Sequence, residues 1–327
     1  MTVPPGWFER AIAHEPSSSR IGVDGRSVHY LSWGDKGGEP VLLVHGNGAH
    51  ARWWSFIAPF LAARGRYVGA IDLGGMGDSD EPPEPGIDAF ARQICAVAEA
   101  IGAGRPVNLV GHSFGGLVSV AAATRRPELV ARLVVIDSPF HIGGRKSHRN
   151  PRNTNAVYPD QAAILARFRL LPAQEIEHPC VLDFIARHSI APTTGGWAWK
   201  FRVDPWESPL LHKSVWTAVG QRLGGFDKPA TYLRGELSKL CPLEAETVWR
   251  QFAGDDAPVI VIPQAHHHVI LDQPIAVVSA LDTLFSLPPW RREEEPPADA
   301  LRSSVPDRRS LAATASIDAA AGGNAEK

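Results

Sequence analysis

The sequence predicts an α/β chain built around a mostly parallel sheet with helices on both faces, and three observations predict it. Short aliphatic and β-branched runs recur along the chain, segments of helical periodicity separate most of them, and the early runs open into glycine-rich turns. Taken in order, Arg20 to Val23 and Ser27 to Trp33 flank Asp24-Gly25, the pattern of an antiparallel hairpin at a sheet edge. Val41 to Val44 is a buried-strand run ending in His45-Gly46-Asn47-Gly48, and Tyr67 to Leu73 repeats the pattern before Gly74-Gly75-Met76-Gly77. Further strand runs are Val107 to Gly111, Leu133 to Ile136, Ala230 to Leu233 and Val259 to Ile262. The predicted helices are Trp53 to Ala63, Ala89 to Ile101, Gly116 to Arg126 stopped by Pro127, Leu243 to Phe252, and Ile275 to Leu284.

Between Phe140 and Gly225 this rhythm breaks into basic loop sequence, prolines, a helical patch near Gln161 to Leu170, and the aromatic cluster Trp197, Trp199, Phe201 and Trp206. We expect residues 140–225 to form a helical cap inserted over the carboxyl ends of the strands, where open α/β sheets bind ligands. The core is then residues 1–139 and 226–290. After Trp290 the chain is dominated by Pro, Ala, Ser, Gly and charge, so residues 291–327 are expected to be a flexible tail.

A chain of 327 residues has room for a large core with one insertion. Its 33 basic and 35 acidic residues give a net charge of −2, which offers no field for a nucleic-acid backbone. Cys95, Cys180 and Cys241 are odd in number and far apart, so they are expected to be free, buried thiols and not a disulfide framework or a thiolate zinc site. Met1 to Glu15 carries no apolar run of signal-peptide length, and nowhere do 18 apolar residues stand together. The expectation is a cytoplasmic protein that meets neither membrane nor nucleic acid.

The strongest chemical signal is Gly111-His112-Ser113-Phe114-Gly115-Gly116, set directly between an apolar strand and a helix. A serine on so tight a turn requires small residues two before and two after it, and Gly111 and Gly115 meet that demand. The same glycines could instead serve a strand-to-helix turn that binds phosphate. A serine hydroxyl needs a base, and a His-rich site, His266-His267-His268, follows the last apolar strand. The loop Asp72 to Asp80 lacks both the dinucleotide fingerprint and a P-loop Lys-Ser/Thr, which disfavours nucleotide binding.

Four segments in this order, namely His45 to Gly48, Asp72 to Ser79, the serine turn, and Ala265 to His268 followed by Leu271-Asp272-Gln273-Pro274, resemble the α/β-hydrolase superfamily over roughly Ser27 to Leu287. The likeness is to serine hydrolases of esterase type with a lid insertion. The resemblance implies Ser113 as nucleophile and, by the register of the small residue before it and the acid and Pro after it, His267 as base, with His266 and His268 as alternatives. It implies main-chain N–H groups of Asn47 and Phe114 as the oxyanion hole. The acid is where this chain departs from the family: where relatives carry an aspartate after the strand Ala230 to Leu233, it has Ser238-Lys239. Some members draw the acid from the preceding strand end, which here is Asp137. Glu236, or a Ser-His dyad with water, are the alternatives.

These readings imply a cofactor-free hydrolase of a carboxylic ester or lactone, acting on a small, apolar, ester-like molecule through an acyl-enzyme. His45, His112, Trp197 and Trp199 are the candidates for substrate contact, and no metal is expected at the consecutive histidines. Cleavage of a dione C–C bond, or perhydrolysis, would use the same groups. A ligand-binding homologue without turnover is the alternative from another class, motivated by the missing acid.

Overall fold

Both faces of the central strands are buried, and this follows from their sequences. In the strand over residues 39–44, Val41 and Leu43 enter one apolar cluster while Leu42 and Val44 enter another, and Leu133/Val135 and Val134/Ile136 divide in the same way. An uninterrupted apolar run is what a parallel strand covered by helices on both sides requires. The computed structural model describes residues 3–140, 156–201 and 212–288. The expected tail 291–327, and Trp206, lie outside them.

The chain opens with helix α1 (Gly6–Ile12) and the hairpin β1 (Ser17–Val23) and β2 (Arg26–Trp33). It continues through β3 (Glu39–Val44), α2 (Ala58–Ala62), β4 (Arg66–Ile71), α3 (Ile87–Gly102), β5 (Val107–His112), α4 (Phe114–Arg125) and β6 (Val130–Ile136). Between β6 and the next strand of the main sheet come α5 (Gln161–Leu165), α6 (Pro179–His188), a small hairpin of β7 (Ile190–Thr193) and β8 (Gly196–Trp199), and α7 (Lys213–Gln221). The described chain ends with β9 (Ala230–Gly235), α8 (Glu244–Ala253), β10 (Val259–Ile262), α9 (Val269–Asp272) and α10 (Pro274–Ser286).

The main sheet has the order β1-β2-β4-β3-β5-β6-β9-β10, and every pairing from β4 to β10 is parallel. β2 is antiparallel to both its neighbours, as the Asp24-Gly25 turn predicts. From β3 the chain steps to β4 on one side and then to β5 on the other. That reversal places a crevice beyond the carboxyl ends of β3 and β5, the usual ligand position in open α/β sheets. Helices α3, α4 and α8 cover one face, and α2 and α10 cover the other.

Two expected elements differ. The helix expected over Trp53 to Ala63 is a 3-10 turn at Ala51–Trp54 followed by the short α2, because Pro59 has no N–H to continue a ladder and stands at a helix start instead. The patch near Gln161 to Leu170 is helical only to Leu165, capped by Asp160, whose side chain accepts from the Ala163 N–H at 2.8 Å. Between β6 and β9, Trp216 and Val219 of α7 join the core cluster beside α4, while Val181 and Ile185 of α6 join the opposite one. Among the described residues no helix is long and apolar enough to cross a membrane.

Candidate active site

The turn from β5 into α4 holds Ser113 at φ +55°, ψ −121°, a conformation that side chains rarely adopt. The surroundings leave it little choice. A Cβ on Gly111 would run into the carbonyl of Gly115, and one on Gly115 into the carbonyl of His45, so both positions require glycine for packing. Ser113 is thereby raised half-buried at the sheet's carboxyl edge, with its N–H bonded to the Ile136 carbonyl at 2.8 Å.

A hydrogen-bonded chain runs down from it. The Ser113 Oγ lies 3.0 Å from His267 Nε2, and His267 Nδ1 lies 2.7 Å from Asp137 Oδ1. A neutral His267 with its proton on Nδ1 donates to the carboxylate and accepts from the serine hydroxyl, so one tautomer satisfies both contacts. Asp137 follows β6 at φ +46°, and its carboxylate is fully buried. It accepts two further bonds, from the Ser238 hydroxyl at 2.6 Å and from the Gly235 N–H at 2.9 Å. Ser238, in the loop after β9, is therefore a donor to Asp137 at the end of the neighbouring strand β6.

The alternatives lie elsewhere. Glu236 is exposed and accepts from the Gln264 N–H at 2.9 Å. His266 turns to Asp272, with its N–H 2.7 Å and its Nδ1 3.2 Å from one carboxylate oxygen. His268 is buried beside Trp53, with ring centroids 5.4 Å apart.

Ser113, His267, His112, Asn47 and Phe114 all line one cavity of about 370 Å³. Phe114 is the first residue of α4, so its N–H belongs to the helix start, where backbone donors lack intrahelical acceptors. The walls are largely aromatic and aliphatic: Trp53, Phe168, Leu170, Trp199, Phe201 and Trp216 contribute. Two expected contacts are corrected. His45 is fully buried outside the cavity, because the Leu73 N–H donates to its Nε2 at 3.0 Å and its Nδ1 donates to the Gly46 carbonyl at 2.7 Å. Trp197 also stands outside the lining, one position from the β7–β8 turn, where its backbone bridges Tyr158.

A sequence profile described as alpha/beta hydrolase fold matches residues 39–274. The chain belongs to the α/β hydrolase fold family. Among curated relatives, it is 32% identical over 171 residues to the dihydrolipoyllysine-residue acetyltransferase component of an acetoin cleaving system from Pseudomonas putida, covering 50% of this chain and 46% of that one. It is 30% identical over 175 residues to the lipase LipV of Mycobacterium tuberculosis, covering 53% and 66%. The chain thus spans less than two thirds of either relative. Among solved structures, the thioesterase domain from the curacin biosynthetic pathway matches with a TM-score of 0.67 at 22% identity, covering 81% of this chain and 99% of that one. An esterase from Mycobacterium tuberculosis matches at 0.64 and 20%, covering 86% and 95%. At those identities the two structures speak to the fold.

Within this family fold His112 and His268 stay neutral. Burial, with His267 alongside, pulls His112 down to about 3, and burial likewise holds His268 well below the usual imidazole range. The His112 Nε2–H donates to the His267 carbonyl at 2.9 Å, so this ring steadies the loop that carries His267. Sequence spacing missed that β5 brings His112 to the consecutive histidines: His112, His267 and His268 each offer a ring nitrogen within 4.8 Å of the others. Both nitrogens of His267 and Nε2 of His112 are engaged in the hydrogen bonds above, which leaves that cluster poorly disposed to hold a cation. The three cysteines are free. Burial pushes Cys95 up to about 11 and holds Cys241 well above the usual thiol range, while Cys180 is half-buried and not fully enclosed as expected.

Proposed function

We propose that this chain is a serine hydrolase of carboxylic esters or lactones that works without a cofactor. The single observation that carries the proposal is the unbroken contact from Asp137 through His267 to Ser113 at the wall of an apolar cavity. His267 Nε2 takes the hydroxyl proton as Ser113 Oγ attacks the substrate carbonyl. The main-chain N–H groups of Phe114 and Asn47 receive the negative charge that develops on the carbonyl oxygen, each worth on the order of 10²–10³ in rate. The imidazolium that forms is stabilised by Asp137 and returns its proton to the departing alkoxide. An acyl-serine is left, and water, deprotonated by the same ring, releases it.

The acid's unusual position follows the same electrostatic logic. A carboxylate at position 238 would face Asp137 across the distance that the Ser238 hydroxyl now bridges, and two buried carboxylates that close cannot both ionise. A serine there donates instead. We further propose that residues 140–225 act as the cap, with Phe168, Trp199 and Phe201 presenting apolar walls to a small-molecule acyl chain.

Incubation with p-nitrophenyl esters of graded chain length and with a fluorophosphonate probe tests the reading. Rapid ester turnover, with the probe on Ser113 and on no residue of Ser113→Ala protein, is the expected result. Binding of esters without acylation would instead make this a ligand-binding member of the family.

A further inference from the structure

The cavity carries a charge imbalance that ester hydrolysis alone does not call for. No Asp or Glu lines it among the described residues, whereas Arg167 and Arg169 both do. The two guanidinium groups alternate with Phe168 on the stretch that follows α5, and both residues are exposed, while Ser113 is half-buried. Neither makes an ion pair among the described residues. Arg169 Nη1 donates to the Phe168 carbonyl at 2.6 Å, a neutral acceptor. Lys200, next to the cavity-lining Trp199, behaves differently, since its charge is met by Asp78 at 2.7 Å. His112 and His268, which also line the cavity, add no charge that competes with the arginines, because burial holds both neutral.

Two unmatched cations at the open part of an apolar cavity raise the local concentration of anions and offer planar forks that fit a carboxylate or phosphate two bonds at a time. We infer that the preferred substrate is an amphiphile whose far end is anionic, a carboxylate or a phosphate, received by Arg167 and Arg169 while its ester carbonyl sits at Ser113. The inference rests on the reading of Ser113 as the nucleophile and supplies the substrate class for it.

Two measurements on the full chain test it. The first compares kcat/KM for the mono-p-nitrophenyl ester of adipic acid with that for its methyl ester, which replaces the distal charge by a methyl group. The free acid is expected to be favoured about fivefold at low ionic strength, the upper range for solvent-exposed ion pairs. That preference is expected to shrink at high salt, to approach one in R167A/R169A, and to invert in R167E/R169E. Equal rates for the two esters in the parent, or a preference that survives the double alanine variant, would overturn the inference. The second measurement needs no turnover: tryptophan fluorescence of Ser113→Ala protein titrated with octanoate, octyl phosphate and octanamide. Tighter binding of either anion than of the amide, abolished in R167A/R169A, supports the inference, and the tighter of the two anions names the group. A carboxylate seated at the oxyanion donors would not depend on the arginines, so an anion preference indifferent to the double variant refutes it. Anion preference without ester turnover would remove the hydrolase reading and leave the anion site standing, and turnover without preference would do the reverse.

Discussion

Asp137→Asn is the substitution that most directly probes the site, because the carboxylate is fully buried and bonded directly to His267. Asp137 accepts from His267 Nδ1–H at 2.7 Å, from the Ser238 hydroxyl at 2.6 Å and from the Gly235 N–H at 2.9 Å. An asparagine that turns its NH₂ toward His267 demands an unprotonated Nδ1. The ring proton then moves to Nε2, which can no longer accept from Ser113. The wrong tautomer costs about 10⁴ in kcat, or about 5 kcal/mol of transition-state stabilisation. Ser238→Ala keeps the carboxylate and two of its donors, so kcat falls about tenfold, in line with loss of one hydrogen bond to a charged group. Glu236→Gln alters an exposed side chain bonded to the Gln264 N–H, and kcat stays within about twofold. Steady-state rates on a p-nitrophenyl ester read these effects, and a thermal melt of each variant separates chemistry from unfolding. Parental activity in Asp137→Asn together with a large loss in Glu236→Gln would refute the assignment of the acid.

The buried histidines make the fold acid-labile. His50 and His112 sit at about 3 in the folded chain against about 6.5 when unfolded, so the unfolded state binds more protons below pH 6.5. Their contribution is intact above pH 6.5 and is lost as pH falls toward 3, at up to about 1.4 kcal/mol per pH unit for each. The urea midpoint at pH 5 should therefore lie well below that at pH 7.5, and equal midpoints would contradict the buried, neutral state of these rings. Gly115→Ala places a methyl group against the His45 carbonyl, where only backbone could yield, and should destabilise by at least about 2 kcal/mol with loss of ester turnover. A parental melting temperature for that variant would show that the turn is not so confined. Trp199→Ala removes a ring stacked on Phe201 at 5.7 Å in the cavity wall. KM for long-chain esters should rise about tenfold with kcat little changed, and a fall in kcat at constant KM would place the ring in the chemistry instead.

What the amino-acid sequence determined by itself is what neighbouring residues impose on one another. Runs such as Val41 to Val44 and Leu133 to Ile136 read as strands covered on both faces, since they are short, aliphatic, mostly β-branched and uninterrupted by polar residues. Gly111 likewise announced the tight turn, because the Gly115 carbonyl that confines it lies within five residues, whereas the demand on Gly115 comes from the His45 carbonyl of a neighbouring strand end. Pro59 was legible in the same way, though the helical periodicity around it concealed the break. Tertiary structure decided everything that depends on which strand ends meet and on where a side chain turns. It brought Asp137 to His267 across 130 positions and gave it Ser238 as a donor from 101 positions away. It sent His45 into the core while admitting His112 to the cavity, and it set Arg167 and Arg169 on that cavity's lining without acidic partners. The physical reason is one of range: backbone sterics and burial periodicity are local and repeat along the chain, whereas the direction of a polar side chain is set by whichever donors and acceptors packing delivers to it.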